Sequence, residues 1–238
     1  MTPTLPKLQP QTFDSFTDFE KQFEYQGDHL YSMIFERNKE DIKISKAKFA
    51  TKNLRKIFDA TFLLSPKVGF EAMSLRDLSA ETGLSMGGLY SSIASKDAIA
   101  IMIKDVVAII CSDIVEVSMA QDNAQDSLNV LLKGYIFAST LMQPWFNFLY
   151  FETKSLPHAE QEASKNLELA QVNALTTTLK RLKPDTEVNI DFISSMVLSM
   201  IQERYVKPWK YHQPFTTVDQ YAEDCLLLVY KCMDYQVR

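Results

Sequence analysis

The chain has 238 residues, 46% of them hydrophobic and 23% charged, and carries a formal net charge of −5 at pH 7. It is long enough for one large or two modest folded domains with real cores, and its acidic balance argues against a nucleic-acid partner unless basic charge is concentrated locally. Cys111, Cys225 and Cys232 are odd in number and lack CxxC spacing, and His29, His158 and His212 form no HxxxH pair. These spacings exclude a disulfide framework, a zinc knuckle and an evident histidine-based catalytic site, so no cofactor or metal is expected and the chain reads as no enzyme.

Residues 1–45 begin "MTPTLPKLQPQTFDSF", without the charged-then-apolar pattern of a secretory signal. No stretch of the chain approaches the roughly 20 uninterrupted apolar residues of a membrane span, and the cytoplasm is the expected compartment, with no membrane partner. Within this extension Phe16, Phe19 and Phe23 share a helical face, and after Gly27-Asp28 a second run carries Leu30, Met33, Ile34 and Phe35. Helices this short and this apolar are not stable alone in water, so they are expected to pack on the body of the protein. Lys43, Lys46, Lys48 and Lys52 follow, placed to add phosphate contacts at the entry to the next helix.

Residues 46–97 form a basic island of net +3 between flanks of −3 and −5. From Lys46 the positions of Phe49, Leu54, Ile57, Phe58, Thr61 and Phe62 predict a helix that stops near Pro66 and Gly69. "SLRDLSAE" opens with Ser74 and has Asp77 three residues on, a capping-box variant. The turn Thr82-Gly83-Leu84 leads to Ser85, a candidate N-cap for a short helix. Two short helices joined by a tight glycine turn and preceded by a packing helix make a helix-turn-helix. Inside the second, Gly87 and Gly88 each cost roughly 1 kcal/mol relative to alanine. Either something must come close to that backbone, or the glycines relieve packing against the first helix.

Beyond residue 97 the pattern stays helical. Ala98 to Val117 is apolar almost all round, as in a helix buried between neighbours. Leu128 to Met142 follows, stopped near Pro144, and then "WFNFLYFETKSLP". Ala163, Leu167, Ala170, Leu175, Leu179 and Leu182 mark a long amphipathic helix ending at Pro184. Helices at about 186–206 and 217–235 close an all-α chain. Phe137, Trp145, Phe146, Phe148, Tyr150 and Phe151, with Met142, Met196 and Met200, either line an apolar cavity or are simply core.

The stretch "VGFEAMSLRDLSAETGLSMGGLYSSIASKDAI", Val68 to Ile99, resembles the DNA-binding signature of the tetracycline-repressor (TetR) family of bacterial regulators. The likeness lies in the Gly-Phe before Ser74, the Leu-Arg-Asp-Leu core, the Gly-Leu-Ser turn, the Gly-x-Leu-Tyr pair and Ser-Lys-Asp at the start of the following helix. It implies a three-helix DNA-binding domain at 46–97 and a larger effector-binding and dimerisation domain at 98–238. Ser85 to Ile93 would be the recognition helix, Tyr90 and Lys96 would meet phosphates, and Arg76 would reach a base edge. Lys46, Lys48, Lys52, Ser74, Ser85, Met86, Gly87, Gly88, Ser91 and Ser92 complete the candidate DNA contacts. Only Arg76 suits guanine, so specificity is expected to lean partly on DNA shape.

The same resemblance makes the last two helices a dimer-forming bundle, with Ile193, Val197, Ile201, Tyr221, Leu228 and Cys232 as candidate interface residues; intramolecular core is the competing reading for each. "LYFETKSLP" and "QERYVKPWKYHQPFTTVDQYAE" are similar to segments of the branch that senses acyl-CoA or fatty acids. That likeness implies a small apolar effector held by Phe137, Met142, Trp145, Phe146, Leu149, Tyr150, Met196 and Met200, with Arg204, Lys207 or Lys210 on its anionic end. The expectation is a homodimeric repressor released from a palindromic double-stranded operator by an acyl effector. An architectural DNA-binding factor without a small-molecule switch is the alternative on the same fold, and a helical enzyme that has lost DNA binding is a further one.

Overall fold

The computed structural model describes Leu8, residues 13–211 and residues 217–234. Among the described residues the regular structure is eleven α-helices and two single 3-10 turns, with no strand. Packing divides the chain into two compact units, and the division cuts across the segments read from sequence. One unit holds Glu24–Val107 and Asn147–Ser164; the other holds Ala108–Phe146 and the described parts of Leu8–Phe23 and Lys165–Arg238.

In the first unit, α2 (Gly27–Arg37) packs along α3 (Ala47–Val68). Its buried residues Leu30, Tyr31, Met33, Ile34 and Phe35 meet the α3 stripe of Ala50, Leu54, Ile57, Phe58, Ala60 and Thr61, where a period close to 3.6 keeps one face inward. Arg55 pairs with Asp28 at 2.8 Å and lies over the Tyr31 ring. Phe49, expected on the buried stripe, is 57% exposed, while its neighbour Ala50 takes the inward position in that turn. Pro66 is accommodated in the last turn of α3, and Gly69 ends the helix with its N–H donated to the Ser65 carbonyl.

Next, α4 (Leu75–Thr82) starts in a complete capping box: the Asp77 N–H donates to Ser74 Oγ, and the Asp77 carboxylate accepts from the Ser74 N–H. It ends at Gly83, φ 68°, a left-handed conformation that any Cβ would strain. Leu84 then leads to the Ser85 cap of α5 (Met86–Ser92), whose hydroxyl accepts from the Gly88 N–H. The helix-turn-helix therefore exists, built from the local signals that predicted it. Phe148 closes this unit's core edge-on to Phe62 and Phe70.

The long helix α6 (Lys96–Met119) gives residues 96–107 to the first unit and 108–119 to the second. The second unit is built on α7 (Ala124–Leu141), which touches α1 (Phe16–Gln22), α10 (Ile190–Val206) and α11 (Val218–Asp234). Phe13, Phe19 and Phe23 are buried, and Phe16 and Phe19 stand edge-on to Phe137 at 5.5 and 5.6 Å. The Phe16 N–H donates to Asp219, tying α1 to α11. Gly134 in α7 makes this possible: a Cβ there would lie 3.0 Å from Ile114 and 3.2 Å from Phe13. Between α7 and α10 in chain order come α8 (Gln143–Glu152) and α9 (His158–Leu182). Pro144 begins α8 as much as it ends α7, since proline tolerates a first helical turn. In α9 only Ala174, Leu175, Thr178 and Leu179 are buried, whereas Ala163 and Ala170 are exposed; the expected apolar face exists only in its C-terminal half.

Candidate DNA-binding and effector sites

The two glycines of α5 are not required by the protein's own packing. A Cβ on Gly87 would meet only Ser85 Oγ at 3.9 Å, and one on Gly88 would make ordinary contacts with Ser85 and Leu84 at 3.5 and 3.7 Å. Packing relief against the first helix is thereby removed as their explanation. The amide of Gly88 is also already bonded to Ser85, so the helix start is not a bare anion cradle. What remains is an exposed, side-chain-free backbone flanked by Met86 and Tyr90, which are 36% and 46% exposed.

Several residues expected on DNA are placed in the open. Arg76 is exposed with no hydrogen-bond or ion-pair partner among the described residues, and Lys46, Lys48 and Lys52 are likewise exposed. The Lys43 N–H donates to the Ser91 carbonyl at 2.9 Å, fastening the lysine run to the end of α5. That link spans some fifty positions, and nothing in the sequence announced it. Ser74 and Ser85 are exposed but committed as helix caps, and the Ser91 hydroxyl donates to the Gly88 carbonyl.

Two residues do something else. Ser92 is fully buried, donating to the Gly88 carbonyl and accepting from Asn53 Nδ2, so it joins α5 to α3 and offers nothing to a groove. Lys96 turns inward as well. Its ammonium donates to the carbonyls of Phe70, Glu71 and Met73 at 2.7 to 3.1 Å and sits over the Phe70 ring. With three donors on three acceptors it has none left for a phosphate.

The expected effector residues divide three ways. Phe137 is fully buried beneath Phe16 and Phe19, and Met142, Trp145 and Phe146 are buried in the second unit. Leu149 and Tyr150 belong to the first unit, where Tyr150 is 49% exposed and the neighbouring Phe148, Phe151, Glu152, Lys154 and Ser155 line a groove of about 570 Å³ with Pro66, Val68 and Ala72. Met196 is 48% exposed on α10, while Met200 is half-buried and its carbonyl accepts from the Tyr221 hydroxyl. Arg204 lines a separate pocket of about 310 Å³ in the second unit, with Ser139, Thr140, Gln143, Tyr205, Pro208 and Tyr211. Lys207 and Lys210 both pair with Glu203, whose carboxyl they hold below its ordinary range, so that carboxylate already offsets their charge.

Among the expected interface residues, Val197 and Ile201 are buried within the protomer and Ile193 is half-buried. Tyr221 lies against Arg204 and Cys232 is half-buried, leaving Leu228 at 48% exposure. The apolar side chains α10 and α11 present outward are Phe192, Met196, Leu227 and Leu228. Among the described residues no three His, Cys, Asp or Glu side chains gather as a metal site; His212 lies outside them. No described helix is long and apolar enough to cross a membrane.

Similar architectures are known among solved structures. A TetR-family transcriptional regulator, PfmR from Thermus thermophilus, is 20% identical, covers 76% of this chain and 99% of its own, and superposes with a TM-score of 0.62. This chain has the TetR fold. AibR, solved with isovaleryl coenzyme A and operator DNA, is 16% identical over 74% of this chain and 97% of its own, TM-score 0.61. FadR from Bacillus subtilis, solved with stearoyl-CoA, is 13% identical over 74% and 96%, TM-score 0.56. No protein-family profile matches the sequence, and no curated protein does. The TetR likeness is thus one of architecture.

Proposed function

We propose that this protein is a ligand-responsive, DNA-binding transcriptional regulator of the TetR type: a cytoplasmic homodimer that represses from a palindromic operator and is released by a small acyl effector. The observation that carries the reading is α5, where Gly87 and Gly88 stay open without any internal packing reason and the lysine run is bonded to the helix end through Lys43 and Ser91. In this reading Arg76 supplies a guanine contact, Tyr90 and Lys43, Lys46, Lys48 and Lys52 meet phosphates, and the bare backbone of Gly87 and Gly88 approaches the groove. Ser92 positions the recognition helix from within, and Lys96 closes the loop between α3 and α4.

Phe192, Met196, Leu227 and Leu228 form the dimer surface, since apolar side chains this exposed on adjacent helices call for a partner. Two-fold symmetry then demands half-sites whose centres lie roughly 34 Å apart or somewhat more. AibR and FadR carry CoA thioesters, which supports an acyl compound as effector here. Effector binding would favour a dimer geometry that no longer matches both half-sites, a coupling of about 1 to 3 kcal/mol. Selection of bound duplexes from a random library, followed by footprinting, tests the reading. It should enrich a palindrome protected symmetrically and released by acyl-CoA or the free acid; recovery of unenriched sequence would end it.

A further inference from the structure

Arg204 lies half-buried in the second unit. Its Nε is buried without a hydrogen-bond partner, and no acidic side chain pairs with its guanidinium among the described residues. The group lies against a pair of aromatic rings, 5.6 Å from the Tyr211 centroid and 5.1 Å from that of Tyr221, themselves edge-on at 4.8 Å. Tyr221 is fixed in turn by its hydroxyl bond to the Met200 carbonyl. Burial pulls the Arg204 ionisation below the ordinary arginine value, with Tyr221 and Tyr211 opposing. A guanidinium still stays protonated, so the fold holds a half-buried cation in place and leaves its fork unfilled.

The pocket beside it says what would fill that fork. The hydroxyls of Ser139 and Thr140 are both donated to the Ile136 carbonyl, so the guanidinium is the group there that can hold an anion. Gln143 donates to the Tyr205 carbonyl, which leaves its own side-chain oxygen free to accept. Tyr205, anchored on Phe146 at 5.6 Å, and Pro208 supply apolar walls. The two nearest lysines in sequence, Lys207 and Lys210, are paired with Glu203. A single unneutralised cation matches a monoanion better than a phosphate dianion, and a planar fork matches a carboxylate. At about 310 Å³ the space is at the small end of the roughly 300–1,000 Å³ usual for organic ligands.

We propose that the Arg204 pocket binds a small organic acid as its free carboxylate, the guanidinium gripping the carboxylate while the body of the acid lies against Tyr205, Tyr211 and Pro208. Its service as the effector site rests on the regulator reading; acid binding itself does not. The site also makes a free acid, and not a CoA thioester, the species recognised there, because a thioester has lost the anionic oxygen pair.

The test uses the full chain and a panel of hexanoate, benzoate and phenylacetate, each beside its amide and beside inorganic phosphate, read by calorimetry and thermal midpoint. At least one acid should bind saturably and raise the midpoint, with its amide inert and phosphate far weaker. Arg204→Gln should weaken that acid by about tenfold or more, and Arg204→Lys should keep only part of the affinity. The helical content and unliganded thermal midpoint of Arg204→Gln, set beside those of the wild type, separate loss of the fork from loss of the fold. No binding by any of the three acids, equal binding of acid and amide, or undiminished binding by a folded Arg204→Gln protein would each overturn the proposal. Operator release by the same acid is a separate reading: an acid that binds without releasing DNA leaves the site standing and removes its effector role.

Discussion

Lys96 and Arg76 lie twenty residues apart, and the structure gives them opposite characters. Lys96 closes three carbonyls of the loop after α3, so Lys96→Ala should cost about 1 to 3 kcal/mol of stability in urea titrations. Arg76→Ala touches no internal partner. It should leave the urea midpoint nearly unmoved while relaxing base preference at one operator position per half-site in a selection experiment. A Lys96→Ala protein of undiminished stability, bound to DNA with a flatter salt dependence, would return that lysine to the phosphates. The glycines make a cleaner separation. Gly88→Ala has room for its methyl group, so helix propensity should raise stability by up to about 1 kcal/mol, and binding shift assays should show operator affinity falling. If affinity is unchanged, no close approach to that backbone exists.

At the scale of the element, the local signals were legible because each acts within four residues. Ser74 with Asp77, Gly83 and Ser85 all do what their spacing predicts. Ser74→Ala should destabilise by roughly 1 kcal/mol, seen as a lower urea midpoint. Asp77 adds a pH signature: its hydrogen bonds from Ser74 hold its ionisation below the ordinary aspartate value. The cap's contribution is therefore complete above the unfolded aspartate pKa, about 4, and fades as pH falls through the lower folded one. Acid titration of wild type and Asp77→Asn should converge there. What sequence could not give was the inward or outward choice of a single residue. Ser92, Lys96, Phe49 and Met196 were each read by type and spacing, and each was decided by a contact from a distant part of the chain, or by the lack of one. Asn53 reaching Ser92, and the three carbonyls reaching Lys96, are tertiary facts with no local trace.

For the whole molecule, the proposed dimer rests on α10 and α11. Their outward side chains, Phe192, Met196, Leu227 and Leu228, differ in part from the residues read as interface, because Val197 and Ile201 are consumed by the protomer's own core. Met196→Glu with Leu228→Glu should leave the helical content intact and yield a monomer in sedimentation, whereas Val197→Ala should lower stability without changing mass. The N-terminal segment belongs to the core to the same degree. Phe19, 1% exposed against Phe137, should cost about 3 to 5 kcal/mol when replaced by alanine, measured by thermal or urea unfolding. A small loss would mean that the segment merely lies on the second unit.

Gly134 records that dependence in the genetic text. With Phe13 present, any larger residue at 134 drives a methyl group to within 3.0 Å of Ile114 and 3.2 Å of Phe13. In a descendant that lost the segment the Ile114 contact would remain, so alanine at 134 would still need that side chain to give way. Ile114 and the N-terminal segment together hold this position to glycine, so among related genes a larger residue at 134 should be accompanied by a smaller one at 114 and a change at 13.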